Sequence, residues 1–194
     1  MGRLIESEVE TRRLSRFEYD KLVETGLFHG ERIELLDGLL VVREPQLTPH
    51  TTAVRLVQIA LERAFGAGWD VRSQLPFALD DESEPEPDVV VVPGAPRDYL
   101  AAHPSRCALI VEVADSSLVF DRRKKAPLYA RAGIADYWIV NLRARTLEVY
   151  RRPTRRRGTT VGWVYAQTRV LRGSGSIAPL ALPAVRIPVS DLLP

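Results

Sequence analysis

Apolar residues recur along this chain at two spacings, and each spacing predicts an element. Between Thr48 and Gly66, the residues Val54, Val57, Leu61 and Ala64 stand three and four apart, with Leu56, Ile59 and Ala60 widening the stripe. That period predicts an amphipathic helix, capped by Thr48, with Pro49 at its first position and Gly66 as its stop. A shorter helix starts at Ser15-Arg16-Phe17-Glu18, which has capping-box spacing, and ends by Gly26. Residues 33–42 are two apolar runs around Asp37-Gly38, a hairpin signal. Residues 69–79, with a polar interruption at Ser73-Gln74, then 88–92 and 107–114, read as strands. Residues 94–106 read as a loop or short helix. A further helix lies between Asp121 and Ala132, closed by Gly133. Pro127 there demands either a regular start near Ala126 or a kink. Residues 136–141 and 146–152 are strands joined by an arginine-containing turn, 162–171 is another, and 173–194 holds short strands broken by proline. Strands interleaved with helices predict an α/β fold: a mixed β-sheet flanked by helices, with an additional N-terminal hairpin and C-terminal strands. Residues 1–13 read as a flexible tail and 14–194 as one domain.

Two of these runs carry an acid that neither period explains. Glu112 sits inside Ala108-Leu109-Ile110-Val111-Glu112-Val113-Ala114, apolar on both alternating positions, as in a strand covered on both faces. A lone buried carboxylate costs an effective several kcal/mol, so it persists only if paired, protonated or bound to a metal. Asp88 stands at the mouth of a second such run, Pro87-Asp88-Val89-Val90-Val91-Val92-Pro93. The two acids are 24 residues apart, enough for one strand, a connection and a return. On neighbouring strands they would converge at one edge of the sheet.

Composition narrows the chemistry. The chain has 194 residues and an ordinary apolar fraction of 45%. No stretch approaches the ~20 apolar residues of a membrane span, and the first residues lack a secretory apolar core. Cys107 is the only cysteine, so no internal disulfide and no cysteine zinc site can form. These features predict a cytoplasmic protein with no membrane partner. The net charge of +2 is unevenly spread: acids crowd residues 80–88, and bases crowd 122–125 and 143–157. Of 27 basic residues only Lys21, Lys124 and Lys125 are lysine, and two of them follow the Glu112 strand. Paired carboxylates suit Mg²⁺, with Mn²⁺ as a substitute. Such an ion polarises a phosphoryl oxygen and activates water, and a nearby lysine can orient that water or stabilise developing charge. Phosphodiester hydrolysis needs this set of parts.

The residues as a set resemble the PD-(D/E)XK nuclease superfamily, and more narrowly the bacterial putative restriction endonuclease family with its restriction-endonuclease-like fold. The resemblance rests on Glu34-Leu35-Leu36-Asp37-Gly38, His50 before the long helix, Pro85-Glu86-Pro87-Asp88 with its valine run, and Val111-Glu112-Val113. It continues through Ser116-Ser117, Asp121, Lys125, Tyr129, Ala132-Gly133-Ile134 and Tyr137-Trp138-Ile139-Val140. It implies that Asp88 and Glu112 bind the metal and that Glu34 joins or supports them. The superfamily's usual lysine position, two after the second acid, is Ala114 here; the family resembled has a lysine on the following helix, which matches Lys125. Lys125 rather than Lys124 is also selected by its four-residue spacing to Tyr129. Gln74, His50 and Asp121 are possible supporting residues, and Arg122, Arg123 and Lys124 possible nucleic-acid contacts. The implied partner is nucleic acid, DNA first, and a homodimer would suit cutting of two strands. No DNA-reading module is appended, so sequence-specific restriction is not implied.

Each residue also has a plain reading. Glu112 could be half of a buried ion pair, Glu34 a surface acid beside a turn, His50 a capping residue and Lys125 a solvated helix residue. The arginines of 143–157 could be a solvated hairpin. The alternative function is a catalytically inactive nucleic-acid-binding or assembly protein on the same fold.

Overall fold

The computed structural model describes residues 12–156 and 162–194. Residues 1–11 of the expected tail, and Arg157 of the basic cluster, lie outside the described residues. The chain begins with α1 (Arg16–Glu24), whose predicted capping box forms: Glu18 N–H donates to Ser15 Oγ at 3.3 Å and Ser15 N–H to Glu18 Oε2 at 2.9 Å. The hairpin of β1 (Ile33–Leu36) and β2 (Leu39–Val42) turns on Asp37 and Gly38, both at positive φ (52° and 72°). A two-residue turn with both φ values positive matches the twist of the strands it joins. β1 is buried along its whole length, while β2 is largely exposed.

Helix α2 (Thr48–Phe65) follows, with Leu47 rather than Thr48 at its cap and no side-chain cap bond. Pro49 lies in its first turn, where its missing N–H costs nothing. The main sheet then forms from β3 (Trp69–Arg72), β4 (Val89–Pro93), β5 (Leu109–Ala114), β6 (Asp136–Asn141), β7 (Thr146–Arg155) and β8 (Trp163–Arg172), hydrogen-bonded in that order. Only β5 and β6 are parallel; every other neighbour is antiparallel. The parallel pair requires a crossover. It is supplied by α3 (Leu118–Phe120), a π-helical turn over Asp121–Lys125, and α4 (Ala126–Arg131). Short strands β9 (Ser176–Ile177) and β10 (Ile187–Pro188) close the chain.

Both faces of the sheet are covered, which is why its central strands show no alternation. Val89, Val91, Val111 and Val113 pack under α2 and the C-terminal Ile187, Val189 and Leu192. Val90, Val92, Ile110 and Ile139 pack on the other face with Phe77, Ala126, Tyr129 and Tyr137. One expectation needs correction. The strand expected over 69–79 ends at Arg72; the chain bends at Ser73-Gln74, where Gln74 has φ 54°, and leaves the sheet. The regular part of the crossover helix starts at Ala126 with Pro127 in its first turn, the first of the two expected alternatives. A π turn precedes the proline, and Ala126 N–H reaches back five residues to Asp121 C=O.

Candidate active site

The antiparallel register sets Val89 opposite Val111, so Asp88 and Glu112, one residue further along each strand, meet at the same edge. Their side chains complete the ladder there: Val113 N–H donates to Asp88 Oδ2 at 2.8 Å, and Asp88 N–H approaches Glu112 Oε2 at 3.4 Å. Glu34, on the buried strand β1, is carried to the same place by the hairpin, and Glu86 N–H donates to its Oε2 at 3.1 Å. The π turn delivers Lys125. Its Nζ lies 2.9 Å from Glu112 Oε1 and 3.4 Å from Glu34 Oε1, while Tyr129 OH donates to the same Glu112 oxygen at 2.7 Å. Glu34, Asp88, Glu112 and Lys125 are exposed by only 1%, 2%, 1% and 2%. Lys124, next in sequence, is exposed. Local π geometry, which recurs at functional sites, thus turns one lysine of the pair inward.

Asp88 is the most heavily supplied of the acids. Arg43 Nη2 lies 3.1 Å from Oδ1, Gln74 Nε2 lies 3.3 Å from Oδ1 and His50 Nε2 lies 3.2 Å from Oδ2. Burial alone would raise its carboxyl, but the His50 bond and the Arg43 guanidinium outweigh that and hold it well below the usual carboxylate range. Beside an ionised carboxylate, His50 Nε2 carries the proton; burial pulls its pKa down, but the Asp88 bond outweighs this and the net shift is upward. Glu112 behaves oppositely. Burial, then the Asp88 and Asp121 charges, push it up to about 7 against the pull of Lys125. Asp121, bonded by Ser117 Oγ at 2.7 Å, is pushed up to about 6, again chiefly by burial. Lys125 loses from burial but gains more from Glu112 and Glu34, so its pKa rises and it stays an ammonium ion.

The fold therefore gathers Glu34, Asp88, Glu112, Lys125, His50 and Gln74 into one contact network, with Asp121 buried in the turn that carries Lys125. It does not gather the predicted nucleic-acid contacts equally. Arg122 forks onto Glu148 at 2.6 and 2.9 Å and is committed to the fold, whereas Arg123 and Lys124 are exposed. Arg143 and Arg151 are likewise paired, with Asp115 and Asp136. Arg43 is a site residue that the sequence reading misses. It follows β2 directly and bonds Asp88 and the Glu86 carbonyl. The available signal is its place one residue beyond a hairpin whose other strand carries Glu34. Among the described residues, no three His, Cys, Asp or Glu side chains are already arranged as a metal cage, and no helix is long and apolar enough to cross a membrane.

A model of the Uma2 family, described as "Putative restriction endonuclease", matches residues 18–190. The fold is similar to the crystal structure of a "putative nuclease belonging to DUF820" from Anabaena variabilis. That likeness has a TM-score of 0.62 at 12% identity, covering 82% of this chain and 88% of that one. No curated protein matches the sequence.

Proposed function

Because the chain belongs to the putative restriction endonuclease family, we propose that it is a Mg²⁺-dependent endonuclease hydrolysing phosphodiester bonds of nucleic acid, DNA first. The observation that carries the reading is the Lys125 ammonium held 2.9 and 3.4 Å from two buried carboxylates at the edge where Asp88 heads the neighbouring strand. The donor set fits a hard divalent cation. Glu34 and Glu112 share the Lys125 ammonium, Asp88 N–H approaches Glu112, and the Asp88 and Asp121 charges act on Glu112, against the two permanent cations Arg43 and Lys125. The surplus negative charge contributes to the raised pKa of Glu112. Glu112 Oε2 also has only a long 3.4 Å contact, so it keeps spare acceptor capacity.

Asp88 and Glu112 are the proposed metal ligands, with Glu34 supporting them. When bound, the ion supplies polarisation of a phosphoryl oxygen and a water of lowered pKa. Arg43 and His50 hold Asp88 ionised and in place. Lys125, protonated at neutral pH, acts as a donor that orients the attacking water and stabilises developing negative charge; it is not a general base.

One observation favours the second reading, an inactive nucleic-acid-binding or assembly protein: every acid of the cluster already has a protein partner. Cleavage of plasmid and single-stranded DNA separates the two. With Mg²⁺ or Mn²⁺ the wild type should cut, with EDTA it should not, and Asp88→Ala should be silent. Nucleic-acid binding without cleavage under any of these conditions would select the inactive reading.

A further inference from the structure

A cavity beside Asp88, at the start of α2, holds more hydrogen-bond donors than the fold uses. It encloses about 270 Å³ and is lined by Arg43, Gln46, His50 and Ser116 among others. That is below the ~300–1,000 Å³ of pockets for drug-sized ligands, so its occupant is small. Arg43 commits its two terminal nitrogens to Asp88, Glu34 and the Glu86 carbonyl, and its Nε–H has no partner among the described residues. Gln46 makes no hydrogen bond among the described residues, although its amide nitrogen is buried. A buried donor without an acceptor costs about 1–3 kcal/mol, so this amide calls for one. Ser116 adds an exposed hydroxyl with no bond among the described residues. Of the two acids on the lining, Asp115 is neutralised by Arg143 at 2.8 Å, and only Glu44, exposed at the rim, has no partner among the described residues.

We propose that this cavity is a phosphate subsite, holding a backbone phosphodiester of the nucleic acid beside the one that is cleaved. Phosphate oxygens are acceptors only, and the Arg43 Nε–H, the Gln46 amide and the Ser116 hydroxyl can each donate to them. The buried His50 Nδ1, equally unpartnered among the described residues, donates when the ring is protonated. Arginine is suited to such an anion because its donors are fixed in one plane. The same guanidinium grips Asp88, so a phosphate bound at its free edge is registered against the acid edge of the sheet. Arg43, Gln46 and Ser116 are in this sense positioning residues. The inference rests on the nuclease reading and adds where its substrate lies.

The test uses the whole chain in EDTA, so no metal chemistry enters. Inorganic phosphate and a short DNA duplex are titrated separately while the His50 ring resonances are followed by NMR. Both should shift those resonances saturably, and phosphate should compete with the DNA. Gln46→Glu places a carboxylate where the donor stands and should weaken both probes about tenfold with the melting temperature held. Gln46→Met, which removes the donor at similar size, carries the same expectation if the glutamate variant does not fold. The subsite is overturned if phosphate leaves His50 unmoved, if Gln46→Glu binds both probes like wild type, or if the variant loses phosphate but keeps DNA. Saturable binding with no cleavage in Mg²⁺ or Mn²⁺ would end the nuclease reading and keep the subsite; cleavage with an unmoved His50 would do the reverse.

Discussion

Glu112 and Glu148 lie in one row of the sheet. Ile139 of β6 stands in register with both, with Glu112 on one side and Glu148 on the other. Both are buried, and their surroundings differ completely. Glu148 receives four donors: two from Arg122, one from Asn141 at 3.0 Å and one from Tyr150 at 2.8 Å. Burial would raise it, but these bonds outweigh burial and its pKa falls. Glu112 has its two short donors on one oxygen and only the long Asp88 N–H contact on the other, shares its lysine with Glu34 and lies near two further acids, and its pKa rises. A buried acid that is fully supplied is part of the scaffold. One left in surplus is a place where the fold has not finished neutralising itself, and a cation can do so.

The largest effect should separate the two clusters in catalysis. Lys125→Met should lower metal-dependent cleavage by roughly 10²–10³-fold, the scale of losing one charge-stabilising donor, and leave metal binding largely intact. Lys124→Met and Glu148→Gln should leave cleavage within a few-fold. A cleavage assay in which Lys124→Met fails and Lys125→Met works would break the assignment of the lysine.

Stability should invert the ranking. In metal-free buffer Glu148→Ala strands Asn141 and Tyr150 and should cost about 1–3 kcal/mol in denaturant unfolding. Glu112→Gln keeps the shape, leaves Lys125 its Glu34 partner and removes repulsion from Asp88, so it should cost no stability at low pH and should raise stability at neutral pH. A large loss in Glu112→Gln would mean that Glu112 is a structural ion pair after all.

The pH dependences should have opposite signs. Glu112 is raised on folding from 4.5 to about 7, so the folded chain holds its proton more tightly. That contribution is present at low pH and is lost as pH rises from about 4.5 through 7. Glu148 is lowered, so its contribution is present above about 4.5 and lost as pH falls through its folded pKa. Unfolding titrations should show Glu112→Gln flattening the neutral limb by roughly 1–3 kcal/mol and Glu148→Gln flattening the acid limb. Matching pH profiles for the two variants would remove the contrast.

The smallest effect concerns the basic segment. Arg122 is committed to Glu148, while Arg123 and Lys124 are exposed. The double variant Arg123→Ala/Lys124→Ala should reduce the salt slope of DNA binding by up to ~2, about 0.9 for each phosphate that is no longer neutralised. Arg122→Ala should leave the slope in place. Equal slopes in all three proteins would show that this turn does not meet phosphate.

How much of this is readable in the sequence depends on whether a residue breaks its own local pattern. Glu112 interrupts an apolar run and Asp88 heads one, so both stand out. The hairpin and the first helix are legible because Asp37-Gly38 and Ser15-Glu18 act within a few residues. Arg43 is not legible: an arginine trailing an exposed strand looks like surface, and only the return of Glu86 and Asp88 beside the hairpin buries it. Glu148 is hidden inside an ordinary strand, since its balance comes from Arg122 and Asn141, 26 and 7 residues away. The π turn that brings Lys125 to Glu34 and Glu112 leaves no mark in the helical period. The strand over 69–79 reads too long because its apolar residues continue past Gln74, where the backbone turns toward Asp88.

Calorimetric titration with Mn²⁺ tests the central claim, that the acid surplus around Glu112 is a divalent-cation site. The wild type should bind, Asp88→Ala and Glu112→Ala should lose the binding, and Glu148→Ala, provided it is folded, should bind like the wild type. Binding unchanged in both Asp88→Ala and Glu112→Ala would contradict the account.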